Sequence, residues 1–288
     1  MSKRPLVRDL LKEKEVDLTA SERKLTAVLI DGAMVAGLQS ITRLADSAQV
    51  STPTVIRLAR KLGFDGFGDL QDAIREDIAA RIKEPLAKLE PVSPDAPRDH
   101  IVSRFVASAT ANINRTLERL DLAEFDRAAE ILSDTARELH IMGGRITRSN
   151  AHYLFNHLQI IRPRVFLMDS SPSVWPQSLL DMGPHSALVI FDIRRYEKEL
   201  EKLAGFAVEQ GVSIVLFTDV WGSPIEPHAS VCFRAAIEVP SSWDSTLAIN
   251  LLVEALIAEV QSRLSDSSAD RISALEKTIG ESKIFRGI

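Results

Sequence analysis

Ser51, Thr52, Thr54, Arg57, Arg60 and Lys61 bring two kinds of chemistry into one short stretch. Hydroxyls at the start of a helix suit phosphate oxygens and base edges. Guanidinium or ammonium groups one to two turns further on reach a phosphate or the major-groove edge of guanine. Residues 41–62 hold Arg43, Arg57, Arg60 and Lys61 against a single acid, Asp46. Double-stranded DNA is the partner this pattern suits. A second group offers anion chemistry: Gly144, Arg145 and Thr147 follow one apolar run, Ser170 and Ser171 the next, and Asp192, Arg194 and Arg195 a third. A glycine lets the backbone approach a ligand, hydroxyls hydrogen-bond it, and arginines take a phosphate or carboxylate bidentately.

Other chemistries lack their residues. His152 and His157 lie five apart on a helical stretch, so they diverge by ~140° and cannot share a metal, and no His–Glu–His spacing is present. No serine sits in a nucleophile-elbow context, and Gly143-Gly144 lacks the remaining glycine of a dinucleotide fingerprint. For proton abstraction only Glu197, His152 and His228 stand near the relevant loops. No catalytic residue, metal ligand or cofactor is assigned.

The DNA-reading cluster needs two short helices crossing steeply at a tight turn. Ser40 caps one over residues 41–48, with Ile41, Leu44, Ala45 and Ala48 on one face; Ser51 caps the next over residues 52–62, with Pro53 in its first turn and Gly63 after its end. Ala45 is small where the helices touch, and Val55 and Leu58 turn one face inward, leaving Ser51, Thr52, Thr54, Arg57, Arg60 and Lys61 outward. Gln49 occupies the turn position that usually needs a positive φ, at a cost of ~1 kcal/mol. A capping box at Thr19 and Glu22 opens an earlier helix, and a longer one runs from about Phe67 to Leu89.

The anion cluster needs a different frame. Apolar runs at residues 139–142, 164–168, 187–191, 212–217 and 231–233 read as strands. Helical patterns at 98–119, 123–136, 148–160, 173–181, 196–210 and 244–264 surround and separate them. Continuous apolar strands alternating with helices imply a five-stranded parallel sheet, doubly wound and covered on both faces. The fold class is thus an all-α N-terminal helix-turn-helix domain (1–90) and an α/β domain (98–264). Between them three prolines fall within residues 91–97, an extended linker by composition, and residues 265–288 read as a polar tail with a weak helical segment at 268–278.

Composition agrees with a globular protein: 45% apolar and 26% charged residues, no run long enough for a membrane helix, and one cysteine, Cys232. The charged start, residues 1–17, is no signal peptide. A cytoplasmic protein with no membrane partner is expected. Residues 1–90 carry 15 Lys and Arg against 14 Asp and Glu, whereas the remainder carries 20 against 26: a small DNA-reading element on an acidic body.

Leu18-Thr19-Ala20-Ser21-Glu22-Arg23-Lys24, Val50-Ser51-Thr52-Pro53-Thr54-Val55-Ile56-Arg57-Leu58 and Lys61-Leu62-Gly63-Phe64-Asp65-Gly66-Phe67 resemble the N-terminal domain of RpiR/MurR-type bacterial transcriptional regulators. The resemblance spans residues 1–264 and implies a C-terminal SIS (sugar isomerase) domain that binds an effector and oligomerises. Such domains carry Gly-x-Gly-x-Ser after the first strand and Ser-x-Ser-Gly-x-Thr after the third. Here those places read Gly143-Gly144-Arg145-Ile146-Thr147 and Asp192-Ile193-Arg194-Arg195-Tyr196-Glu197. The phosphate-cradling hydroxyls are gone from the second, and three arginines stand on the two loops. The expectation is a homodimeric or homotetrameric regulator of carbohydrate or carbon-metabolism genes that senses a small sugar-phosphate-like or sugar-acid-like anion. The alternative is a sugar-phosphate isomerase-like enzyme with a helical extension.

Overall fold

The computed structural model describes residues 4–31, 34–82 and 100–283. They belong to two compact units, one within residues 1–84 and the other within 85–288. The expected 91–97 linker lies outside the described residues.

The first unit is helical: α1 (Val7–Glu13), α2 (Ala20–Asp31), α3 (Ile41–Ser47), α4 (Thr52–Lys61) and α5 (Phe67–Ile82). Their buried stripes meet in one core of Leu25, Leu29, Leu44, Val55, Leu58, Leu70 and Ile74. Helix α1 is absent from the sequence reading, because Val7 and Leu11 are the whole of its buried stripe amid charged neighbours. Asp77 of α5 ties it down, accepting from the Val7 amide at 2.8 Å and the Arg4 guanidinium at 3.0 Å. The capping box forms as read: Glu22 Oε2 accepts from the Thr19 amide at 2.8 Å and Thr19 Oγ1 at 3.0 Å, satisfying groups the helix start leaves unpaired.

The second unit begins with α6 (Ile101–Leu117) and α7 (Leu122–Ser133). It then alternates β1 (Glu138–Gly143), α8 (Arg148–Ile161), β2 (Val165–Leu167), α9 (Trp175–Asp181), β3 (Ser186–Phe191), α10 (Lys198–Glu209), β4 (Ser213–Asp219) and β5 (Val231–Ala235), closing with α11 (Leu247–Arg263) and α12 (Ser265–Ser282). The five strands are all parallel in the order β2-β1-β3-β4-β5. Every residue of β3 is buried, as a strand covered on both faces requires. Leu188 and Ile190 pack with Leu200, Leu203 and Ala207 of α10. Alternate residues face the other way, where Phe191 stacks on Phe217 at 4.5 Å between centroids and Phe217 meets Phe233 at 5.0 Å. This aromatic row floors the carboxyl ends of β3, β4 and β5. The expected polar tail is largely α12, with Ser268 buried and the Arg271 guanidinium donating to the Gln159 carbonyl of α8 at 2.8 Å.

Candidate functional site

In the helical unit, the turn between α3 and α4 is closed by the Val50 amide on the Ala45 carbonyl at 2.9 Å and the Gln49 amide on the Asp46 carbonyl at 3.0 Å. Gln49 sits at φ 52°, the left-handed conformation the turn demands, and Ala45 is buried at the junction. Val55, Leu58, Ala59 and Leu62 anchor α4 in the core, and Ser51, Arg57 and Arg60 stand exposed, with Thr52 partly so.

Two of the expected outward residues are not outward. Thr54 is 3% exposed: it precedes Leu58 by four residues, so it lies within ~40° of the core stripe. Its hydroxyl contacts Ser51 Oγ at 3.0 Å and accepts from the Arg57 guanidinium at 3.0 Å, so the Thr54 hydroxyl is spent on its own helix start. Lys61 is drawn away across the bundle. Its Nζ donates to Glu22 Oε2 at 2.7 Å and to the Asp17 carbonyl at 2.9 Å. Burial pushes the Glu22 carboxyl up, but the bonds from Lys61 and Thr19 outweigh it and hold the group below its ordinary value.

In the α/β unit, strand order reverses between β1 and β3, so the position of the ligand crevice of such sheets lies beyond their carboxyl ends between the loops 144–147 and 192–197. The first loop is tight: a Cβ on Gly143 would lie 2.5 Å from the Thr147 carbonyl oxygen, which only glycine avoids. Thr147 is buried and its hydroxyl donates to the Phe191 carbonyl at 2.6 Å, pinning this loop to the end of β3. The Arg145 amide donates to Glu197 Oε1 at 2.6 Å.

The second loop is a knot of charges. Asp219, fully buried at the end of β4, accepts from the Arg194 amide at 2.7 Å, the Tyr196 hydroxyl at 2.7 Å and the Trp221 amide at 2.9 Å. Burial nevertheless pushes its carboxyl up. Asp192 is buried beside it and accepts from Ser223 Oγ at 2.5 Å and the Glu197 amide at 3.4 Å. Burial dominates here too, with the Asp219 and Glu197 charges adding to it, and the Asp192 pKa is pushed up to about 7. The Arg194 guanidinium is buried, 3.1 Å from Asp244 and 3.6 Å from Glu238, and lies over the Trp221 ring at 4.2 Å.

The helix-turn-helix domain of the rpiR family matches residues 6–81, and the SIS domain matches residues 133–259. The chain belongs to the RpiR family. The HTH-type transcriptional regulator HexR of Pseudomonas aeruginosa is 27% identical over 79% of this chain and 77% of its own. The sugar isomerase domain of an RpiR transcription factor from Sphaerobacter thermophilus shares the fold with a TM-score of 0.59 at 19% identity, over 62% of this chain and 99% of that one. The NanR protein of Vibrio vulnificus, solved in complex with ManNAc-6P, reaches a TM-score of 0.55 at 20% identity, over 95% and 97% of the two chains. The family is one of transcription regulators, which favours that reading over the isomerase alternative. Among the described residues no helix is long and apolar enough to cross a membrane, and no cluster of His, Cys, Asp or Glu is placed to hold a metal ion.

This RpiR-family regulator departs from the sequence expectation at its crevice. Arg194 was expected to face an anion, but Glu238 and Asp244 meet it instead. Asp192 is interior rather than lining. Thr147 spends its hydroxyl inside the fold. Ser170 and Ser171 stand exposed in the loop after β2, across β1 from the crevice, where Ser171 Oγ meets Ser173 Oγ at 2.8 Å. Arg145 and Arg195 remain exposed on the two loops, and Gly144 abuts Glu197. Tyr196, Trp221, Ser223 and Glu238 escaped the sequence reading. Their one signal was position, in loops and turns that follow strands.

Proposed function

We propose that this RpiR-family regulator reads an operator through the exposed face of α4 and acts in the cytoplasm as a homodimer or homotetramer. On the same proposal, its SIS domain answers to a small anionic metabolite, sugar-phosphate-like or sugar-acid-like, and so controls carbohydrate or carbon-metabolism genes. The observation that carries the DNA reading is the exposed pair Arg57 and Arg60 on a helix entered through a left-handed Gln49 turn. Ser51 and Thr52 at its start complete a face of hydroxyls and guanidiniums suited to phosphates and base edges. Support for the effector comes from the SIS domain itself, the sugar phosphate bound by the NanR relative, and the exposed Arg145 and Arg195 on the loops that flank the switch point. Asp192 and Asp219 at that end are buried and bonded internally, which favours a binding role over isomerase chemistry. Oligomerisation is expected because a single helix-turn-helix buries little DNA, and two-fold dimers read paired half-sites.

The test is selection of an operator from randomised duplex DNA, followed by anisotropy titrations with and without a panel of sugar phosphates and sugar acids. Sequence-specific binding that is lost in the double variant R57A/R60A and altered by a panel member is the expected result. Undiminished specific binding by the double variant removes α4 from the interface.

A further inference from the structure

We propose that Glu197 decides what the crevice admits: its carboxylate is an internal anion seated on the β1 loop, and a ligand's anionic group enters only by displacing it. The proposal rests on reading the β1/β3 crevice as the effector site.

One hydrogen bond and the absence of a side chain at Gly144 seat the carboxylate on the β1 loop, and a backbone bond holds the residue. Oε1 accepts the Arg145 amide at 2.6 Å, the distance of a charge-assisted bond. A Cβ on Gly144 would lie 2.8 Å from that same oxygen, so the bare glycine is what lets the carboxylate reach the loop. At the other end, the Glu197 amide donates to buried Asp192 at 3.4 Å, and Glu197 occupies the extended position just before α10. The carboxylate makes no cap bond to α10 and is turned to the β1 loop instead. A loop amide that follows a strand's carboxyl end is what an incoming phosphate or carboxylate uses. In this chain the Arg145 amide already holds an anion of its own. Asp192, which accepts the Glu197 amide, is buried, so a second anion arriving with Glu197 in place meets the charge of Glu197 itself.

The consequence is selectivity. An anion replacing Glu197 gains one charge-assisted bond and forfeits an equal one, so the anionic group alone yields little net affinity. A ligand must bring further contacts, such as sugar hydroxyls, to win the exchange. Bare phosphate is discriminated against, and a phosphorylated or carboxylated polyol is not.

The experiment measures binding of inorganic phosphate and of glucose 6-phosphate to the full chain by calorimetry, in wild type, E197Q and E197A. Hydrogen–deuterium exchange of residues 143–148 reports whether binding occurs at the loop. Gln keeps the hydrogen bond and loses the charge, whereas Ala loses both. Phosphate affinity is expected to rise from wild type through E197Q to E197A, reaching about 10- to 100-fold, the factor one charge-assisted hydrogen bond commands. The gain is accompanied by new protection at 143–148. Equal phosphate affinity in all three, with ligand protecting 143–148 in each, overturns the role of Glu197 while the crevice stands. Binding that leaves 143–148 unprotected in every protein overturns both. Far-UV circular dichroism on E197Q, the isosteric variant, separates either result from misfolding.

Discussion

Replacing Lys61 with Met tests whether this residue belongs to the fold or to the DNA. Met keeps the apolar stem and removes the ammonium, which bonds Glu22 Oε2 at 2.7 Å and the Asp17 carbonyl at 2.9 Å. The Glu22 side chain is 4% exposed and that of Lys61 30%. Removing one partner of a buried pair costs ~3–5 kcal/mol because the remaining charge is stranded. Two features lower that figure: water reaches Lys61, and the Thr19 amide and hydroxyl continue to bond the stranded carboxylate. About 2 kcal/mol remains, which for a unit of this size lowers the melting temperature by roughly 8–16 °C.

All three tryptophans, Trp175, Trp221 and Trp243, lie outside the helical unit, so fluorescence reports the α/β unit alone while far-UV circular dichroism reports both. In K61M the dichroism should show an early transition that fluorescence does not share. The double variant E22Q/K61M should recover much of the loss. Because the folded Glu22 pKa is depressed, the stability it contributes is present above its unfolded value of ~4.3 and is lost as pH falls through the folded value. The gap between wild type and K61M should therefore close in acid. Operator binding by K61M, measured below the transition, should keep its salt dependence. An unmoved dichroism transition together with a salt slope shallower by about one unit would refute the reasoning and return Lys61 to the phosphate backbone.

Three further outcomes are expected. Arg57→Ala should weaken operator binding by ~1–3 kcal/mol and relax preference at one base, read by anisotropy across single-base operator variants. Asp192→Asn should flatten a pH dependence: a folded pKa of about 7 lies above the unfolded ~3.9, so the native state retains a proton the unfolded chain has lost. Wild type should then lose stability relative to D192N as pH rises from 4 to 7 in urea titrations followed by fluorescence, and parallel curves would reject the raised pKa. Light scattering at micromolar concentration should give a mass at least twice the 31.8 kDa of one chain, and a purely monomeric peak would contradict the paired half-site reading.

What was legible in the sequence is what local periodicity and turn chemistry encode. The Thr19–Glu22 capping box, the Ser40 cap on the Arg43 amide and the left-handed turn at Gln49 each depend on residues a few positions apart. The five apolar runs matched five strands because a sheet covered on both faces leaves no polar alternation to misread. The failures have a physical pattern. Thr54 sits at the edge of the core stripe, where a hydroxyl type suggests exposure and the helical angle dictates burial. Lys61 and Glu22 lie 39 residues apart, and Arg194 and Asp244 pair across two strands, so no window in the sequence joins them. Charge type alone said that three arginines on two loops need neutralising. It did not say that the acids supplying it come from the segment before α11.

The paired state of Arg194 bears on how the proposed effector site would respond to a ligand. Arg194 and Arg195 stand consecutively at φ 21° and φ 62°, a left-handed turn that costs non-glycine residues ~1–3 kcal/mol each. Such a turn persists only when its surroundings over-determine it. Here the Arg194 amide is bound to Asp219, its guanidinium to Asp244 and Glu238, and its face to the Trp221 ring. Moving this arginine toward a ligand would strand two carboxylates and a buried cation, a loss that one new anion contact does not offset. If the effector enters between these loops as proposed, the knot is the fixed wall of its site. Glu197 stands three residues beyond Arg194 and is partly exposed, and its carboxylate bonds a backbone amide, that of Arg145, which an incoming anion can replace. On the proposal above, a small exchange at that amide moves the residue that opens α10, whereas buried Arg194 holds the sheet end in place. The group able to move is an acid, and Arg194, which looked like a ligand contact, is part of the frame against which it moves.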